Sequence, residues 1–429
     1  MVAPASETLS GLRAGFARVD ITPEGAVELA GNFSWRPRLS RAVRDRLQAR
    51  VLWLEDSGRR LVIASLDTLL VSEELHRLTC RKSGLEPAEL LLSATHTHSS
   101  FGGLFPPPAT SVLGTPAPQR MDWLSERLAA ALNEARQDAA RALLRYGQSR
   151  VAGFTSCRRQ RLGPYDDEFR VLAFDRPGKS TLVAINASGH PVVVSEKDPH
   201  LVSADWPGEL CQRLDKRNIQ AVFLPAALGG TSPLFPEFPM SIDRHLELLG
   251  DMAERGVLQA LQKAIELDLF PLERELIFLQ HPEPRCKIFS GLGPRGKFYD
   301  ALLWPLRSWI SGRFRKILVP EKGVPLHLVR LGKAIIMASA HEMGANLVNE
   351  LLQLGRRFGF PLAASLADGY AGYLHLPLQY RLVPEKGFRW LAYYENALAI
   401  FGQEMGERIM QAAASWLEQS FNSPPAPAS

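Results

Sequence analysis

Two histidines flanking a single threonine close an apolar run at Leu91-Leu92-Ser93-Ala94-Thr95-His96-Thr97-His98. In extended backbone, side chains alternate faces, so residues two apart emerge together. His96 and His98 are therefore expected side by side where a strand runs out, a placement suited to holding a metal ion or to general acid–base work. The chain has 10 histidines, so two within three positions stand apart from scatter. The pair alone fits an ordinary strand surface equally well.

Other reactive residues follow apolar runs in the same way. His190 comes after 182–186, Ser232 after 221–224 and the Gly229-Gly230 turn, and His341-Glu342 after 334–338. Short runs rich in Val, Ile, Leu or Phe predict strands over 51–55, 60–65, 90–94, 169–174, 182–186, 221–224, 326–329 and 334–338. Apolar residues recurring every three or four positions predict helices over 122–146, 206–214, 243–266, 343–354 and 390–418. This alternation points to an α/β fold, a mixed sheet with flanking helices and buried central strands. Ligands of such sheets gather outside the strand ends, so these coincidences suggest one site. No break in composition interrupts 12–420. A single large domain is expected over 12–421, with a disordered tail at 422–429 that holds three prolines.

The bulk composition, 429 residues with 46% hydrophobic and 22% charged, is that of a soluble globular protein. Cys80, Cys157, Cys211 and Cys286 lie far apart without a Cys-x-x-Cys pair, which argues against a structural zinc module or a disulfide scaffold. Residues 1–8 lack the apolar core of a secretory signal, and no uncharged run approaches the ~18 residues that span a bilayer. A cytoplasmic protein without a transmembrane segment is expected. The net charge of +5 concentrates in 285–320, where Arg285, Lys287, Arg295, Lys297, Arg307, Arg313, Arg315 and Lys316 face Asp300 alone and interleave with Phe289, Phe298, Tyr299, Trp304, Trp309 and Phe314. This pattern fits peripheral membrane contact. It fits as well a surface helix with aromatics in the core and cations in water. No nucleic-acid-binding fold accompanies it.

Six segments, in order, resemble the neutral/alkaline non-lysosomal ceramidases, zinc-dependent amidases that cleave the N-acyl bond of ceramide. They are Gly15-Phe16-Ala17-Arg18-Val19-Asp20-Ile21-Thr22-Pro23; Ser93-Ala94-Thr95-His96-Thr97-His98-Ser99; Gly189-His190-Pro191 with Leu201-Val202-Ser203-Ala204-Asp205; Gly229-Gly230-Thr231-Ser232-Pro233; Glu342-Met343; and Tyr370-Ala371-Gly372-Tyr373 with Tyr394-Glu395. The resemblance implies Zn2+ held by His96, His190, Glu342 and Tyr373. Imidazole and carboxylate are good zinc ligands and tyrosine is a rarer one. It further implies that His98, Arg158 and Tyr394 surround the reacting carbonyl, that Ser232 orients the substrate, and that Asp205 backs a zinc histidine. The implied activity is hydrolysis of ceramide or a related N-acyl lipid by zinc-activated water.

Taken singly, these residues have plainer readings. His190 fits a strand-end histidine, Glu342 a helix N-terminal acid, Tyr373 a packing aromatic, and Ser232-Pro233 an ordinary turn. Arg158 and Arg159 fit a solvated charge pair, and Cys157 stands where the family has asparagine, leaving open which arginine enters the pocket. Phe101, Trp206 and Leu234 also depart from the family pattern and are expected to reshape the pocket. The zinc residues match better than those expected around the substrate. A zinc hydrolase of a smaller amide or ester, and a non-catalytic binding protein on the same scaffold, are therefore the alternative expectations. Longer family members carry a further C-terminal β-sandwich, so a catalytic-domain-only version is expected.

Overall fold

Apolar residues alternate between two destinations along most strands, and this alternation builds the molecule in layers. The computed structural model describes residues 11–32, 36–106, 112–158, 163–267, 272–282, 322–376, 395, 399 and 401–422. Three larger sheets organise them. The first orders Leu90–Ala94, Arg59–Leu66, Gln48–Asp56, Arg13–Asp20 and Ala140–Arg141. The second orders Ile219–Pro225, Thr181–Ala187, Glu168–Asp175, Leu143–Arg150 and Ile265–Glu266. The third orders Glu273–Leu279, Val324–Leu331, Ala334–Ser339 and Phe360–Ala364.

Each sheet is mixed. Its one parallel pair is Arg59–Leu66 with Leu90–Ala94 in the first, Thr181–Ala187 with Ile219–Pro225 in the second, and Ala334–Ser339 with Phe360–Ala364 in the third. The fold class read from the sequence, α/β with a mixed sheet and flanking helices, is borne out, with three larger sheets in place of one.

Period-two patterning explains the packing. Leu52, Leu54, Leu61 and Ile63 of the first sheet, Leu172 and Phe174 of the second, and Val329, Leu331 and Ile336 of the third share one central core. Their neighbours Val51, Trp53, Val62, Leu328, Ile335 and Met337 face outward into a core built with helices. Val171, Ala173 and Val183 do the same on the second sheet. Helices Glu73–Ser83 and Pro118–Asp138 pack on the first sheet's side, Asp205–Asp215 and Ile242–Gln262 on the second, and Ala345–Arg356 and Gly402–Asn422 on the third.

Local chemistry sets the helix ends. Ser72 accepts the Leu75 N–H, and Gly84 closes the same helix at φ +68°. Pro118 occupies the first turn of the next, where its missing N–H costs nothing. At Gly15 the Arg13–Asp20 strand meets that helix backbone to backbone, and a Cβ there would lie 1.9 Å from the Ala135 carbonyl oxygen.

Several predicted boundaries differ from the structure. The helix predicted over 122–146 stops at Asp138, because Leu143–Arg150 switches to alternating burial and joins the second sheet. Ala142, Leu143 and Leu144 had continued the helical spacing by coincidence. The helix predicted from 343 starts at Ala345, after a two-residue strand at Glu342–Met343. The last helix is Gly402–Asn422, so Asn422 ends a helix instead of opening the tail. The remainder of that tail, the start of the 390–418 prediction apart from Glu395 and Ala399, and the whole of the basic segment 285–320 lie outside the described residues. Among the described residues no helix is long and apolar enough to cross a membrane.

Candidate metal centre

The parallel pairs deliver their C-terminal ends to one place. Leu90–Ala94 ends before His96, which adopts a left-handed φ of +72°, a conformation that costs a non-glycine residue about 1–2 kcal/mol. Simple strand alternation therefore does not hold across His96 and His98. The left-handed turn itself brings them together, with Nε2 atoms 3.3 Å apart. Backbone bonds from Thr95 N–H to the Leu66 carbonyl and from His96 N–H to the Thr68 carbonyl pin the turn. His190 arrives from the end of Thr181–Ala187, and its Nε2 lies 3.2 Å from that of His96.

The tautomers follow from the partners. Nδ1 of His96 faces the Leu69 carbonyl at 2.8 Å, Nδ1 of His190 faces the Leu228 carbonyl at 2.9 Å, and Nδ1 of His98 faces Asn32 Oδ1 at 3.0 Å. These oxygens only accept, so each Nδ1 carries the proton and each Nε2 turns a lone pair inward. This arrangement is the usual support of a metal-binding imidazole.

Glu342 completes the group. Its short strand pairs in parallel with Tyr373–Leu374, placing Glu342 opposite Tyr373. The Tyr370 hydroxyl donates to Oε1 at 2.8 Å. Oε2 lies 3.2 Å from His96 Nε2 and 3.5 Å from His190 Nε2, and takes no hydrogen bond. His96, His190 and Glu342 are 2%, 1% and 3% exposed, so the cluster lies in the interior.

Burial, with Arg158 nearby, pushes His190 down to about 4. Burial, with the two other imidazoles, holds His98 well below the usual histidine range. Burial opposes the charge on Glu342, and positive charge placed at His96 and His190 draws its carboxyl well below the ordinary range. Inward lone pairs beside an ionised carboxylate repel one another unless a cation sits among them. Nitrogen and oxygen donors of this kind suit zinc. Among the described residues, His96, His98 and His190 form the one cluster with metal-binding spacing, their ligand atoms within 4.8 Å of one another.

Arg158 forms the next layer. Strand Thr155–Cys157 pairs with Thr231–Pro233, setting Ser156 opposite Ser232, and Arg158 N–H donates to the Gly230 carbonyl at 2.9 Å. The buried guanidinium donates through Nε to Glu395 at 2.7 Å, and its Nη2 lies 3.5 Å from the Tyr373 hydroxyl. Burial disfavours its charge, but Glu395 and Tyr373 more than compensate and keep it above the usual arginine range.

The expected residues thus divide. His96, His98, His190 and Glu342 converge, and Tyr373 and Arg158 adjoin them. Ser232 lies in the ladder beside Arg158 and forms no hydrogen bond with the imidazoles among the described residues. Tyr394 and Arg159 lie outside the described residues.

Three expectations need correction. Asp205 does not back a histidine; its carboxylate accepts the N–H groups of Val194 and Trp206, and the supporting acceptors are Leu69, Leu228 and Asn32. Trp206 does not reshape a pocket, being fully buried edge-to-face against Phe154 and Phe223. Leu234 packs against the core beneath the second sheet. Tyr370, Asn32 and Glu395 went unassigned. An acid inside the apolar run Leu391-Ala392-Tyr393-Tyr394-Glu395-Asn396-Ala397-Leu398 was the available signal for Glu395; Asn32 has none.

The class so defined is an α/β protein whose mixed sheets close, at their strand ends, around a buried histidine–carboxylate cluster. Among solved structures its fold is similar to that of the neutral ceramidases. The neutral ceramidase from Pseudomonas aeruginosa superposes with a TM-score of 0.75 at 17% identity, covering 97% of this chain and 75% of that one. A ceramidase complexed with C2 gives 0.74 at 17% identity, covering 98% and 77%. No protein-family model and no curated protein matches the chain.

Proposed function

We propose that this protein is a zinc-dependent hydrolase that cleaves the N-acyl amide bond of ceramide or a related N-acyl lipid. The observation that carries the reading is the convergence of three imidazole Nε2 atoms and an unpartnered carboxylate oxygen in the buried interior, on a fold similar to neutral ceramidase. His96, His190 and Glu342 would hold the zinc, with Tyr373 as the fourth protein ligand. A zinc ion so held lowers the pKa of water towards ~7 and polarises a carbonyl, which an unactivated amide requires.

The chain's own residues supply the rest. His98, its Nδ1 proton fixed on Asn32, presents Nε2 to take a proton or pass it to the leaving amine. The Arg158 guanidinium, clamped by Glu395, offers fixed positive charge to a developing oxyanion. Ser232 and Tyr394 are assigned to orienting the substrate. Burial of the cluster excludes competing water and strengthens each of these interactions.

A narrower second reading, a zinc hydrolase of a smaller amide or ester, has one observation in its favour. Phe101 is buried and, with Leu69, Leu70, Leu104, Phe105 and Leu113, lines an apolar cavity of about 10 Å³, roughly the space of one water. Leu69 in this wall is the residue whose carbonyl holds His96.

Purified protein assayed for zinc content and against N-acyl sphingosines of graded acyl length tests both readings. Bound zinc with turnover of long-chain substrate supports the first, and turnover confined to short acyl groups or esters supports the second. Zinc without hydrolysis of any amide or ester would leave a binding protein, and a metal-free protein after zinc loading would remove the hydrolase reading altogether.

A further inference from the structure

Two buried carboxylates and one buried guanidinium share this site, and their pairing is not symmetric. Glu395 is fully buried. Its Oε1 receives Arg158 Nε at 2.7 Å, lies 2.5 Å from Arg158 Nη2, and also receives the Gly230 N–H at 3.0 Å. Its Oε2 lies 3.6 Å from His375 Nε2. One side chain thus joins the Arg158 segment, the Gly229-Gly230 turn and the segment after Tyr373. Glu342, the other carboxylate, also lies within the field of Arg158, yet its Oε2 stays turned to the imidazoles.

We propose that Glu395 is a positioning residue that claims the Arg158 guanidinium and thereby leaves Glu342 to the metal. The inference rests on the zinc reading of the cluster. A guanidinium buried beside a dication repels it, and if unpaired competes for the nearest carboxylate. Among the described residues, removing the charge of Glu395 leaves Glu342 as a carboxylate whose charge acts on Arg158. Arg158 then becomes a rival for a metal ligand instead of a fixed donor to substrate.

The test is zinc affinity, measured on the full chain by competition with a chelator, alongside kcat and thermal unfolding. Glu395→Gln is expected to weaken zinc binding about 10–100-fold, the usual cost of losing an outer partner of a metal site. Glu395→Asp keeps the charge and is expected to hold zinc near the wild-type level while kcat falls, because the shorter side chain misplaces Arg158. The double variant Glu395→Gln/Arg158→Met is expected to regain most of the lost zinc affinity and none of the lost kcat. A purely structural role for Glu395 predicts no such recovery. Glu395→Gln binding zinc like the wild type, or a double variant no better than Glu395→Gln, overturns the role given to Glu395. Wild-type protein that binds no zinc overturns the metal reading itself and this proposal with it.

Discussion

His96 Nε2 and Glu342 Oε2 stand 3.2 Å apart, although one follows the edge strand of the first sheet and the other follows a strand of the third. In the arrangement described His96 donates through Nδ1 to the Leu69 carbonyl, and Oε2 of Glu342 takes no hydrogen bond. Two donors so placed suit a common cation, the zinc proposed above.

The first expectation concerns that ion. His96→Ala removes the donor that lies against both His190 and Glu342, and zinc affinity should fall by at least 10–100-fold. Metal analysis after dialysis against a weak chelator reads this directly. Retention of one zinc per chain by the variant would assign the ion to another place.

Phe101→Gly should enlarge the apolar cavity beside Leu69 and shift acyl preference towards longer chains. The comparison to make is kcat/KM for short and long N-acyl substrates in the two proteins. An unchanged preference would mean that this cavity does not receive the acyl group.

Asp67, beneath the turn that carries His96, offers a pH-dependent expectation. Burial pushes its carboxyl up to about 7, against hydrogen bonds from Gln48 N–H and Thr95 Oγ1 and the charge of Arg50; Asp45 adds to the rise. Between the ordinary carboxylate range and 7 the folded protein holds a proton that the unfolded chain has released. The stability this contributes is complete below the ordinary range and is lost as pH rises through 7. Asp67→Asn removes the titration, so relative to wild type it should gain on the order of 2–4 kcal/mol between pH 4 and pH 8. Urea unfolding at both pH values measures the difference, and parallel losses in the two proteins would contradict it.

Gly15→Ala should cost about 1–3 kcal/mol or more. The added methyl would meet the Ala135 carbonyl oxygen at 1.9 Å and the Ala139 nitrogen at 2.7 Å, and backbone cannot swing aside as a side chain can. A denaturation midpoint equal to wild type would show that strand and helix can separate without cost.

The strands leading to the cluster were legible because their burial is nearly complete. Leu90–Ala94 has the same bounds in sequence and structure, since an unbroken apolar run followed by polar residues marks a strand covered on both faces. His96, His190 and Glu342 were legible through the order of motifs, and their meeting follows from parallel strands ending on one side. What escaped was set by backbone. The left-handed turn at His96, the carbonyls of Leu69 and Leu228, and the approach of Gly147 to the Ala260 carbonyl leave no mark in residue type that alternation or helical spacing can read. Trp206 and Leu234 were misplaced for a related reason, because difference from a family pattern says that a residue changed, and only packing says what it touches.

The donors also have an order in time. During synthesis His96 and His190 emerge early, while Glu342 and Tyr373 follow only after more than three-quarters of the chain. Until the third sheet folds against the other two, three imidazoles face a gap with no carboxylate to close it. On the proposed zinc reading, capture of the ion would be a late checkpoint that reports whether all three sheets have reached their places.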